Sequence, residues 1–149
     1  MAVIAAIVFS STILTEESII PVNFGSQKII PNTFDQASSG PLTILKTKNR
    51  LYENLFFTIN GLEKNQKGDV LIFSPAGTLY QTIPFDGSVK THFNFYFKPS
   101  TSSGLKLCTI EELVGMWTVK FVGINYKPLQ FEIINEFVRG GESVLKDVC

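Results

Sequence analysis

Along most of this chain the apolar positions recur every second residue. From Leu42 almost to the end, short runs alternate between apolar and polar side chains, and the breaks between runs are rich in Gly, Pro, Asp and Ser. A period of two places successive side chains on opposite faces, so the pattern predicts half-buried β-strands. In "RLYENLFFTINGL", Leu51, Glu53, Leu55, Phe57 and Ile59 fall on one face, with Glu53 the exception near the start. "GDVLIFSPAGTLYQTIPFDGS" reads as a strand over Val70 to Phe73, a turn at Ser74-Pro75-Ala76-Gly77, a strand over Leu79 to Ile83, and a turn at Asp86-Gly87. "VKTHFNFYFKP" alternates most cleanly, with Val89, Thr91, Phe93, Phe95 and Phe97 on one face and Lys90, His92, Asn94, Tyr96 and Lys98 on the other. "MWTVKFVG" and "PLQFEIIN" form a hairpin setting Trp117, Val119 and Phe121 against Leu129, Phe131 and Ile133. One helical turn is expected at "TIEELVG", where Thr109 and Glu112 carry a capping signature.

Short, regularly spaced strands with turn residues between them point to an all-β chain folded as an antiparallel sandwich of about seven strands. Its expected core is Trp117, Phe93, Phe95, Phe131 and Phe57, the lone indole filling the space between two sheets. Gly115 and Gly123 bracket the Trp117 strand and allow tight entry and exit. The expected organisation is an apolar leader over 1–20, a linker or edge segment over 21–42, the sandwich over 43–137, and a short flexible tail over 138–149 beyond the double glycine.

The leader has two readings. "MAVIAAIVFSSTILT" carries no charged side chain before Glu16, has the length of a signal-peptide apolar region, and falls short of the roughly 20 residues a membrane span requires. No transmembrane helix is expected. Export is favoured, although no Lys or Arg precedes the run. The same residues are strand formers, so Val3, Ile4, Ile7, Val8 and Phe9 are also candidates for a donor strand that completes another copy's sheet.

Composition narrows the chemistry. The chain has 149 residues, 44% of them hydrophobic and 13 of them Phe, while 17% are charged against a typical value of about 25%. Thirteen basic and thirteen acidic residues cancel, and only Arg50 and Arg139 carry a guanidinium, which argues against a nucleic-acid surface. With one His and two Cys, without a CxxC, no metal site or cofactor is expected. In an exported chain, Cys108 and Cys149 can pair as one disulfide tying the tail to the domain; free thiols are the alternative. His92 lies on a polar strand face, and Glu111 and Glu112, being adjacent, make a poor acid–base pair. No catalytic residues are expected. Tyr52, Tyr80, Tyr96 and Tyr126 would make a sugar-stacking platform only if coplanar, so carbohydrate is the weaker partner and protein, self or other, the stronger.

The order of motifs resembles the Ig-like, macroglobulin-like sandwich modules of bacterial and archaeal secreted surface proteins. It rests on "TINGL", "VLIFSPAGTLY", an alternating strand after "FDGS", a "G-x-W-x-V" strand and a final "FEI", over Thr43 to Glu136, with Pro75, Gly77, Gly115 and Trp117 at the marker positions. The resemblance implies an extracellular or cell-surface, non-enzymatic module for adhesion, spacing or protein interaction. The alternatives are a filament subunit joined by donor-strand addition and a carbohydrate-binding accessory domain.

Overall fold

The computed structural model describes residues 35–149. The leader, the candidate donor strand and most of the linker lie outside these residues. The described chain forms nine strands: β1 (Ala37–Ser39), β2 (Leu42–Ile44), β3 (Lys48–Leu51), β4 (Leu55–Asn60), β5 (Lys67–Phe73), β6 (Leu79–Asp86), β7 (His92–Phe97), β8 (Gly115–Val122) and β9 (Leu129–Phe137). Three single 3₁₀ turns stand at Ser103–Leu105, Glu111–Leu113 and Gly141–Ser143.

The strands make a four-stranded sheet in the order β1-β2-β4-β7 and a five-stranded sheet in the order β3-β9-β8-β5-β6. Nine strands replace the expected seven or so because β1, β2 and β3 are only three or four residues long, too short to show a period. All pairings are antiparallel except β3 with β9, which is parallel.

That exception explains Glu53. The expected continuous strand from Arg50 to Asn60 is two strands in different sheets: β3 ends at Leu51, Tyr52 takes φ 64°, and β4 begins at Leu55 on the other side. Glu53 sits in the crossover, where its carboxylate accepts the Arg50 N–H at 2.8 Å and pairs with Lys46 Nζ at 2.5 Å. It caps the switch between sheets and does not belong to a strand face.

The core lies between the sheets. Leu42, Ile44, Phe57, Ile59 and Phe97 face inward from one, and Val70, Ile72, Trp117, Val119, Phe131 and Ile133 from the other. Trp117 is fully buried, stacked on Phe131 at 6.0 Å and edge-on to Phe97 at 5.4 Å and Tyr80 at 5.3 Å. Its indole N–H donates to the Leu113 carbonyl at 2.9 Å, satisfying a polar atom that burial would otherwise penalise. In register, Trp117 opposes Phe131 and Val119 opposes Leu129. Phe57 stacks on Phe95 at 4.8 Å; Phe95 and Phe93 are half-buried and pack against the core from its margin.

Two glycines do the work their positions suggest. A Cβ on Gly123, at φ 95°, would lie 2.3 Å from the Lys67 carbonyl oxygen, so only glycine lets β8 end so close to β5. Gly115, at φ 128°, admits the chain to β8 beside Pro75 of the β5–β6 turn.

The C-terminal segment is tied down, contrary to the flexible tail expected. Leu145 is buried in the core cluster, the Val148 N–H donates to the Cys108 carbonyl at 2.9 Å, and Thr101 Oγ1 donates to the Lys146 carbonyl at 2.6 Å. Asp147 accepts the Ile110 N–H at 2.9 Å, and Cys108 and Cys149 are joined as a disulfide with Cα atoms 5.0 Å apart. The double glycine makes a turn into a docked strap rather than the start of a flexible tail.

Candidate functional site

The two sheets leave a seam between β6 and β7, the outer strands on one side of the sandwich. The chain crosses it in five residues, Gly87 to Thr91. Asp86 builds the crossing: one carboxylate oxygen accepts the Ser88 N–H at 2.9 Å and the Ser88 hydroxyl at 2.5 Å, and the other pairs with Lys67 Nζ at 2.8 Å. An Asx turn of this kind holds the backbone without needing a strand partner. The Lys67 contact first, and then the Ser88 hydroxyl, lower the Asp86 pKa from 3.8 to about 2.

Because this turn rotates the chain out of the sheet, Val89 does not join the inward face of β7 as the alternation predicts. It stands 73% exposed at the mouth of a groove of about 430 Å³, whose apolar walls are Phe85 and Phe93. At the far end of the seam the Tyr80 hydroxyl accepts the Ser100 N–H at 2.9 Å and lies 3.3 Å from its carbonyl. The seam is thus closed at the Tyr80 end and open at the Val89 end. Its polar lining is Lys90, Asn94 and one carboxylate, Asp86, which is already paired.

The residues singled out from sequence do not converge. His92 is exposed on the outer face of β7, its nearest polar partner being the Thr91 hydroxyl at 3.3 Å. Glu112 turns back onto the Cys108 and Thr109 N–H groups, at 2.5 and 2.8 Å, which is one half of the expected capping box. The four tyrosines stand on different elements with different neighbours and are not gathered into one platform. Tyr80 packs on Phe97 and Trp117, Tyr126 on Phe121, Tyr52 beneath Lys98 Nζ, and Tyr96 alone is largely exposed, beside Phe56. Among the described residues, no three or more His, Cys, Asp and Glu side chains are grouped to hold a metal ion, and no helix is long and apolar enough to cross a membrane.

The groove itself has no sequence motif. Its only trace is the conflict between an alternation that continues back through Val89 and a turn signal at Asp86-Gly87-Ser88. Compared with known protein families, characterised proteins and solved structures, the chain matches none.

Proposed function

We propose that this chain is an exported, non-enzymatic β-sandwich module that acts through its surface, in adhesion, structural spacing or protein contact at the cell exterior. The observation that carries the reading is the strap formed by Leu145 to Cys149 and closed by the Cys108–Cys149 disulfide. A structural disulfide of this kind persists in oxidising compartments and is rare where thiols are kept reduced.

The strand order supports the Ig-like resemblance. With β4 and β7 in the places of strands B and E, strands β9, β8, β5 and β6 take those of G, F, C and C′. Two features depart from antibody-type domains: the core Trp117 is on the strand in the F position, and the disulfide fastens the tail rather than joining the two sheets.

The test is accessibility on intact native cells. A non-permeant protease or biotin reagent should reach the protein, and thiol alkylation without reductant should leave both cysteines unlabelled. Protection from both reagents together with two alkylated cysteines would place it inside a reducing compartment and refute the reading.

A further inference from the structure

Among the described residues, the outer strands are not alike. β1 has three residues, β3 has four with exposed Lys48 and Arg50, and β6 contains Pro84, which denies an incoming strand a donor. β7, His92–Phe97, has six residues and contains no proline, Lys, Arg, Asp or Glu. Its backbone direction follows from its neighbour. Phe56 gives its carbonyl to the Leu45 N–H and Asn60 gives its N–H to Pro41, both on the β2 side. The alternate residues Leu55, Phe57 and Ile59 therefore bond toward β7, to Phe97, Phe95 and Phe93. That leaves the N–H and C=O groups of His92, Asn94 and Tyr96 directed away from the sheet, with Phe93 and Phe95 half-buried beside them and Val89 exposed at the groove.

We propose that β7 is the acceptor for an added β-strand, and that the strand is the uncharged segment Ala2 to Thr15 of a second copy of this chain. The proposal rests on the reading of the chain as an extracellular interaction module and names its partner. Three observations bear on the occupant. First, Lys90 and Lys98 flank β7, so two β7 edges paired antiparallel about Asn94 would set Lys90 against Lys98 at both ends, which is unfavourable. The segment Ala2 to Thr15 has no such conflict, and Glu16 and Glu17 follow it immediately to meet one of those lysines. Second, the described chain begins at the β1 side of the four-stranded sheet and the acceptor is at its opposite edge, about 14 Å away at the usual strand spacing. Donation from one edge to the other edge of the next copy is a head-to-tail contact, which propagates instead of closing as a dimer. Third, residues 16 to 34 give about 60 Å of chain at full extension, enough to reach a neighbouring copy; the same length reaches this copy's own β7, the outcome that a monomeric parent would reveal.

Asn94→Pro provides the test, because it removes an N–H that faces away from β4 while leaving the β4–β7 ladder its bonds. Asn94→Ala keeps that N–H. Full-length chains are compared by light scattering coupled to size exclusion, by electron microscopy, and by circular dichroism for folding. The expected result is that the parent and Asn94→Ala assemble into open oligomers, while Asn94→Pro is a folded monomer. Should Asn94→Pro fail to fold, the double variant Ile7→Asp, Phe9→Asp decides: assembly must be lost with the sandwich intact. A monomeric parent, assembly that survives in folded Asn94→Pro or in the double variant, or assembled native material whose intact mass lacks residues 2–15 overturns the proposal. None of those outcomes touches the surface-accessibility test of the module reading.

Discussion

Reducing the Cys108–Cys149 disulfide should cost this fold a large part of its stability. The bridge joins residues 41 apart in sequence and encloses β8 and β9, the centre of the five-stranded sheet. Chain-entropy bookkeeping gives about 4 kcal/mol for a loop of that length, against about 5 to 15 kcal/mol for a whole domain. The strap adds a second contribution, since release of Cys149 frees the segment that buries Leu145. Trp117 is the only tryptophan and is fully buried, so its fluorescence reports the core directly in urea titrations with and without a phosphine reductant. With a urea slope near 2 kcal/mol per molar in the oxidised protein, the midpoint should fall by about 2 M, and the slope should rise somewhat as the unfolded chain loses its constraint. Leu145→Ala in the oxidised protein separates the two contributions: it should cost about 2 kcal/mol from lost packing with the loop constraint retained. A shift on reduction of less than about 0.5 M would refute the argument. It would mean that the strap is released in the oxidised protein too, or that the unfolded chain is already constrained.

Trp117→Phe should destabilise by about 2 to 4 kcal/mol, because the buried Leu113 carbonyl loses its donor and the smaller ring leaves space, whereas Met116→Ala on the exposed face of the same strand should stay within about 0.5 kcal/mol; urea melts followed by circular dichroism compare the two. Asp86 has a depressed pKa, so the stability it contributes is complete above its ordinary value of 3.8 and is lost as pH falls toward about 2. Carbon-13 NMR of the carboxyl group should find that low midpoint and should see it rise in Ser88→Ala, which removes one of the hydrogen bonds that favour the charged form; an unchanged midpoint would refute the assignment.

What the sequence disclosed was set by the length over which a period can be counted. β7 and the β8–β9 hairpin run six to nine residues, and their alternation places Phe97, Trp117, Val119, Phe131 and Ile133 inward without tertiary information. The β1–β2 hairpin escaped because three-residue strands around Gly40-Pro41 look like turn composition. The split of β3 from β4 escaped because Tyr52 is left-handed, a conformation that no letter code marks when the residue is not glycine. The strap looks like a free tail in sequence because its apolar residues, Val144, Leu145 and Val148, are too few to show a strand or helix period; of the three only Leu145 is buried, and the contacts that hold it there come from segments far away in the chain, among them Cys108, 41 positions before Cys149. The groove was invisible for a related reason: alternation of letters runs through Val89, but the Asp86–Ser88 turn has already rotated the backbone out of the sheet.

The contrast among the outer strands bears on whether β7 is an accident. An exposed edge is usually blunted by shortness, charge or proline, since an unprotected one pairs with whatever strand it meets. Here β1 is short, β3 is short and basic, and β6 carries Pro84. Within β7 none of these devices is present, and the only formal charges are Lys90 and Lys98 just outside the strand. Those two lysines penalise pairing of β7 with its own kind about Asn94 while leaving room for a neutral strand flanked by carboxylates. With no net charge at neutral pH to keep copies apart, the same edge left empty would be a site of uncontrolled association. Three guarded edges and a fourth flanked by charges that disfavour pairing with itself are what the proposed strand addition at β7 would require.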